Sequence, residues 1–441
     1  MSKRKLLSVF MLLPAIVLMN ACGGGNTKDE NASEPQKTSQ PDPTPQPIEL
    51  VVFGQPADPE NVFNVRIGDA VRKKFPHITL KYIPRSSAAT LQNLITSGSQ
   101  VDLVYDSIGG ANASVLAMQS QFDITELTKK KGIDLNRFDQ AQVEAVTQFG
   151  GLYGLPTQTG GLVMYINRDV FDKFGVSYPK NGMTWDEAIE LGNRLTRNEG
   201  GVQYIGLGLS NNHALLMNSL SLPFVDKKTE KPAINNDNYK KLMETLIMKP
   251  AQADGYKQYI TSIKRAFNNN DFMKDRRMGM FVMNYGLQDQ GDFKEFNWDM
   301  APLPVFPEKP GIGSQPYPNI LFVNSTSKYK EQAVEVLGYL TSNEYQLDMS
   351  KKGFAPVLKD ETIRKAFGQE VSYKDKNIVN ALFYNKFAPS AAKTKYDSAV
   401  NSALTKQILL LVGGETDINS ALRAADEEAA KSIETMKTQQ K

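Results

Sequence analysis

The chain has 441 residues but one cysteine, two histidines and two tryptophans. A lone thiol, Cys22, finds no partner for an internal disulfide, so no covalent staple supports the fold. His77 and His213 stand alone, without a cysteine pair, and a zinc site of the imidazole or thiolate kind therefore lacks ligands; no metal and no cofactor is expected. Excess charge is missing too. The 51 basic residues nearly balance 48 acidic ones, and Lys3, Arg4 and Lys5 belong to a leader that is removed, which leaves the two signs equal. Without a basic surplus to displace counterions from phosphates, nucleic-acid binding has no electrostatic footprint. After Met19 no apolar run is long enough to span a bilayer. Also absent are a glycine-x-serine-x-glycine elbow, a histidine-glutamate-x-x-histidine pair and a glycine-rich phosphate loop ending in lysine-serine or lysine-threonine. Glycoside hydrolysis by two carboxylates survives these exclusions, because 48 acidic residues offer many pairs.

What is present begins with a basic triplet, Lys3-Arg4-Lys5, followed by the apolar run Leu6 to Met19, the layout of a removable secretory signal over residues 1–21. Met19-Asn20-Ala21-Cys22 resembles the lipobox of bacterial lipoproteins, with methionine where leucine is usual. That resemblance implies that Cys22 is acylated and holds the mature chain on the bilayer without spanning it. An ordinary signal peptide with a free cysteine is the alternative. Residues 23–47 run from Gly23-Gly24-Gly25 through polar residues to Pro35, Pro41, Pro43, Pro45 and Pro47. Such a segment buries too little apolar surface to offset its ordering entropy, and residues 22–47 read as lipidated cysteine plus linker. As a coil this linker spans roughly 25–30 Å, enough to clear lipid headgroups.

From Ile48 onward the chain alternates strands and helices, and its length points to about two domains. Ile48 to Phe53 is a buried-strand run that ends at Gly54-Gln55-Pro56. Phe63, Ile67, Ala70, Val71 and Phe75 share one helical face, and Pro76 stops that helix. Ile78, Leu80 and Tyr82 alternate as a second strand. A short helix around Leu91 and Ile95 ends at Gly98, and Val101 to Tyr105 forms a third strand opening into Ser107 to Gly110. This order predicts a parallel sheet covered by helices, with ligands at the carboxyl ends of its strands. Further strands are expected at Leu162–Ile166, Tyr204–Leu207 and Met280–Met283. A capping box at Thr184 and Glu187 should start a helix over Trp185, Ala188, Ile189 and Leu195. The end of the chain, from Tyr396, reads as helical, with Ala421, Leu422, Ala425 and Ala429 on one stripe.

Several of these stretches together are similar to a known pattern. Gly151-Leu152-Tyr153-Gly154-Leu155-Pro156, Met164-Tyr165-Ile166-Asn167-Arg168-Asp169-Val170-Phe171 and Thr184-Trp185-Asp186-Glu187 come first. Arg265-Ala266-Phe267 with Met278-Gly279-Met280, Ala301-Pro302-Leu303-Pro304, Glu331 to Ser342 and Gly353-Phe354-Ala355-Pro356 follow in order. They resemble the bacterial extracellular solute-binding proteins of maltodextrin-binding type, the receptors of sugar-importing ABC transporters. The resemblance implies an α/β, two-lobed periplasmic-binding-protein fold (type II). Residues 48–157 plus 310–385 would form lobe one, and residues 158–305 plus 386–441 lobe two. Hinge crossovers would lie near Thr157-Gln158, Pro304 to Gly311 and Asn385 to Pro389. It also implies a monomer that is not an enzyme and that passes a saccharide to an ABC permease in the membrane.

A sugar needs short polar side chains around its edge and rings against its C–H faces. The loops after strands offer Gln55, Asp58, Asp106, Ser107, Asn211 and Asn212, with His213 a weaker candidate. The resemblance adds Thr157 and Gln158 at the first crossover and Tyr317 and Asn319 after the second. It adds Tyr285 near a position where relatives carry a stacking tryptophan, and Tyr396 as a second stacking ring. Trp185 and Trp298 read as core residues, so stacking falls to tyrosines. Three alternatives stay open: a secreted carbohydrate hydrolase, a binder of ferric iron through tyrosines such as Tyr285, Tyr384 and Tyr396, and a sensor that reports to a membrane kinase.

Overall fold

Ten strands form two mixed five-stranded sheets in the computed structural model, which describes residues 46–289, 293 and 295–439. The signal, the lipobox with Cys22 and the linker as far as Pro45 lie outside the described residues. The first sheet contains β1 (Ile48–Gly54), β2 (Ile78–Pro84), β3 (Leu103–Ser107), β4 (Gly154–Gln158) and β10 (Asn319–Val323), in the order β2-β1-β3-β10-β4. The second contains β5 (Leu162–Asn167), β6 (Arg197–Glu199), β7 (Val202–Leu209), β8 (Met278–Asn284) and β9 (Trp298–Pro302), in the order β6-β7-β8-β5-β9.

The parallel expectation holds for β2, β1 and β3, but β10 runs antiparallel to both β3 and β4. The reason is where the chain re-enters. After β9 it returns to the first sheet at the edge where β3 and β4 end, so β10 must run against them. Within the second sheet only β7 and β8 are parallel. Strands sealed on both sides, such as β1 and β5, are near-continuous apolar runs and are buried along most of their length. Half-covered β2 instead alternates buried Ile78, Leu80 and Tyr82 with exposed Thr79 and Lys81.

Helices cover the sheets as the sequence periodicity requires. Trp185–Leu195 starts at the expected capping box: the Thr184 amide donates to Glu187 Oε2 at 2.7 Å, and the Glu187 amide donates to the Thr184 hydroxyl at 3.3 Å. This helix packs so closely on β7 that a Cβ at Gly206 would lie 1.8 Å from the Gly192 carbonyl oxygen, which only glycine permits. The region Glu60–Lys74 is helical throughout but contains a wide turn, Asn64–Gly68, of π type. Phe63, Ile67 and Val71 are buried on its inner face, beneath the first sheet's edge.

Each sheet has its own apolar core. Helices Lys330–Leu340 and Asn343–Lys351 contribute to the first. Ala355, Phe367, Ile378, Ala381 and Leu382 belong to the second, and helix Ile378–Phe383 lies on β9 and β5. Between these groups Val357, Leu358 and Ile363 form a small third cluster with Phe138, so the stretch 310–385 contributes to more than one apolar cluster. Trp185 and Trp298 are core residues at 2% and 5% exposure, in keeping with their sequence reading. Among the described residues no helix is long and apolar enough to cross a membrane.

Tyr396, expected as a second stacking ring, lies in a core. It flanks the start of helix Asp397–Gly413 and is 2% exposed, packed in the second core. The Lys437 ammonium sits 5.7 Å from its ring centroid. The ring is sealed by helix packing. Tyr396→Ala should lower unfolding free energy by about 3–5 kcal/mol in urea titrations, as for other large aromatic deletions. A loss below about 1 kcal/mol would contradict this packing.

Candidate functional site

Strand register sets the site. Gly54 lies beside Tyr105, and Asn319 pairs with both Ser107 and Gln158, so one edge of the first sheet collects the ends of β1, β3 and β4 and the start of β10. In the second sheet Leu162 pairs with Asn284, and Leu209 with Val282, which brings the ends of β7 and β8 to the start of β5. Three residues, Thr159 to Gly161, join the two edges. The Tyr317 amide donates to the Gly160 carbonyl at 2.9 Å and ties the returning chain to this link.

Between the edges lies a cavity of about 240 Å³. Gln158, Asn319, Arg66 and Phe354 line it from the first sheet's side; Asn284 ends β8 and Tyr285, Leu287 and Asp289 follow it; Thr159, Gly160 and Tyr317 come from the crossovers. Of the sequence candidates, the structure brings Gln158, Tyr285, Tyr317 and Asn319 to the cavity. Gln158 donates its amide to the Tyr105 hydroxyl at 3.1 Å, which orients the side chain and leaves its oxygen as an acceptor. The Tyr285 hydroxyl donates to the Gly353 carbonyl at 3.1 Å, and its ring lies 5.6 Å from that of Phe367. Tyr317 and Ser107 share a hydrogen bond of 3.2 Å between their hydroxyl oxygens.

The other candidates stand behind the lining or away from it. Asp58 accepts a 2.7 Å bond from Arg66 Nη1 and orients that guanidinium. Gln55 uses its carbonyl to accept Arg85 Nε at 2.9 Å. Thr157 is buried, its carbonyl accepting the Gln346 amide at 2.8 Å. Asn212 turns to helix Asp397–Gly413, accepting the Thr405 hydroxyl at 3.1 Å, and its neighbour Asn211 opens helix Asn211–Leu216 away from the cavity lining. His213 bonds Ser210 Oγ at 2.8 Å and meets the Tyr317 ring edge-on at 6.2 Å; burial lowers its pKa. The three tyrosines considered for iron do not converge. Tyr285 is at the cavity, Tyr396 is in the second core and Tyr384 is half exposed on the surface. Among the described residues no group of three His, Cys, Asp or Glu could hold a metal.

Asp106 changes role. It is 2% exposed and does not line the cavity; it accepts the Ser107 amide at 2.7 Å and the Ser114 hydroxyl. A Cβ at Gly110 would sit 2.3 Å from its Oδ1, so the glycine makes room for the carboxyl. Asp106 thus holds the loop that presents Ser107 to Tyr317. Arg66, Phe354, Asn284 and Asp289 were missed as lining residues. Arg66 and Phe354 sit in segments that read as amphipathic helix and family turn, and nothing in their spacing marks a cavity.

The family model for bacterial extracellular solute-binding proteins matches residues 57–347. The arabinooligosaccharide-binding protein of Bacillus subtilis strain 168 is 27% identical over 274 residues, 57% of this chain, and the chain spans only 59% of that relative's length. Among solved structures, an ABC substrate-binding protein of Listeria monocytogenes in complex with cycloalternan matches at TM-score 0.68 and 17% identity over 87% of this chain and 98% of its own. A sugar transporter of Rhizobium etli in an open conformation gives 0.68 and 20%, covering 87% and 99%. At these identities the structural matches establish the α/β, two-lobed fold.

Burial raises the Asp106 pKa to about 6, outweighing its hydrogen bonds from Ser114 and Ser107. A carboxyl raised above its unfolded value of about 4 binds its proton more tightly in the folded state. Its contribution to stability is complete below pH ~4 and disappears as pH climbs through about 6. Urea midpoints should therefore fall for the wild type relative to Asp106→Asn as pH rises from 4 to 7. Parallel curves for the two proteins would refute the buried carboxyl.

Proposed function

The chain belongs to the bacterial extracellular solute-binding proteins, and from that premise we propose that it is a lipid-anchored receptor. In this reading it binds a short neutral saccharide in the cavity between its two sheet edges. The observation that carries the reading is the lining itself: amides from Gln158, Asn284 and Asn319, the hydroxyl of Tyr317, and rings of Tyr285 and Phe354 around about 240 Å³. Amides and hydroxyls meet a sugar's edge, and rings meet its C–H faces. The volume falls just below the range of about 300–1,000 Å³ for drug-sized ligands, which favours a short saccharide over a long dextrin. The Bacillus relative's name makes arabino-oligosaccharides the first class to try.

The lobes are built on the two sheets, and the crossovers between them bend as hinges. Cys22 carries the fatty anchor, the linker lifts the body off the headgroups, and an ABC permease takes the sugar from the closed receptor. In this reading binding leaves the sugar chemically unchanged. A dissociation constant near 1 μM corresponds to roughly 8 kcal/mol, within reach of a few hydrogen bonds and a stacked ring.

A thermal-shift screen over arabinotriose, maltotriose, mannotriose and their monomers tests the binding claim. At 100 times the dissociation constant the bound sugar should add about 2.7 kcal/mol of stability, with the sugar recovered intact after days of incubation. A flat panel, or a cleaved product, rejects the reading.

The anchor is tested separately by growing cells with radioactive palmitate. Label should enter the wild-type protein and vanish in Cys22→Ser; an unlabelled wild type rejects the anchor.

A further inference from the structure

Resting on that saccharide reading, we infer that Arg66 is a specificity-determining residue: its guanidinium donates to two adjacent oxygens of one sugar ring, with Asp58 as its positioning partner. Arg66 is the one cation among the described residues lining the cavity. It sits inside the wide turn Asn64–Gly68, where the Asp69 amide reaches back to the Asn64 carbonyl across a π-type spacing. Such turns recur at functional sites because they redirect a side chain without ending the helix. The backbone here is fixed on both sides. Phe63 and Ile67 are buried, and the Arg66 carbonyl accepts the Tyr345 hydroxyl.

The side chain is fixed as well. Nη1 donates to Asp58 Oδ2 at 2.7 Å, the guanidinium carbon lies 5.8 Å from the Phe354 ring centroid, and about a quarter of the side chain stays exposed. Asp58 is itself held, its carbonyl accepting the Tyr82 hydroxyl at 3.1 Å. A guanidinium carries five N–H donors in a rigid plane. Asp58 takes one in the described bond and also balances the charge, so the arginine presents donors without adding a net positive charge that would favour an anion. The matching ligand feature is a pair of neighbouring neutral acceptors, a hydroxyl pair or a ring oxygen with its neighbour. Phe354 beside it faces the C–H side of the same ring. Desolvated donors also reject a ring that places its oxygens elsewhere, because they are then left unpaired.

Isothermal titration of the purified protein with arabinotriose, maltotriose and mannotriose, against Arg66→Met, Arg66→Lys and Asp58→Asn, tests this. Arg66→Met should weaken the best-bound sugar by about 10–100-fold and shrink the differences among the three. Arg66→Lys keeps the charge but loses the fork, and it should lose at least about tenfold with the same change of ranking. It also carries the test if the methionine variant does not fold. Asp58→Asn should show a smaller loss in the same direction. If every sugar weakens by one common factor, or none weakens, Arg66 is only a structural ion-pair partner and the proposal is overturned. If the wild type binds none of the three, the saccharide reading fails first and this proposal falls with it.

Discussion

Between Gln158 at the end of β4 and Leu162 at the start of β5 the chain has four peptide steps, and four steps reach no further than about 13–14 Å. Two sheets of different topology are held edge to edge by that short span, whatever the other crossovers do. The Tyr317 amide on the Gly160 carbonyl adds a second tie at the same place. Because the link joins the end of one strand to the start of another, the loops that meet across it are those after β3, β4 and β8 and before β10. Each of these ends leaves backbone groups and short polar side chains without a ladder partner. The cavity is thus a consequence of connectivity, and its polar lining follows from strand ends.

Rigidity around the cavity comes from hydrogen bonds made to its lining residues. Asp106 anchors the loop behind Ser107, Asp58 and Tyr345 fix Arg66, Tyr105 orients Gln158, and Gly353 receives the Tyr285 hydroxyl. Arg66, Gln158 and Tyr285 are thereby pre-positioned, which lowers the ordering cost of binding a ligand. The apolar clusters do different work. One core lies under each sheet, and helix Ile378–Phe383 joins the second.

The fold was legible in the sequence where periodicity is strong. β1, β2 and β5 appear where the apolar runs place them, the Thr184–Glu187 box starts its helix, and the Ala421 to Ala429 stripe is buried. The site was legible only in part. Gln158, Tyr285, Tyr317 and Asn319 reach the cavity because they flank crossovers or strand ends, positions that spacing and resemblance both mark. The burial of Tyr396 was not legible because its environment is decided by the packing of two C-terminal helices and not by local pattern. The reversed β10 was hidden because strand direction depends on which edge the chain returns to. Arg66 was hidden for a further reason: a π-type turn leaves no mark in the apolar spacing of Phe63, Ile67 and Val71.

The central claim is that a sugar is held between these two edges. Hydrogen–deuterium exchange with and without a saturating saccharide from the panel measures it directly. The account predicts slowed exchange at Gln158 to Gly160, at Tyr285 to Leu287 and at Tyr317 to Asn319 together, with the outer helices unchanged. Protection confined to one sheet, or to a surface away from these three segments, would contradict it.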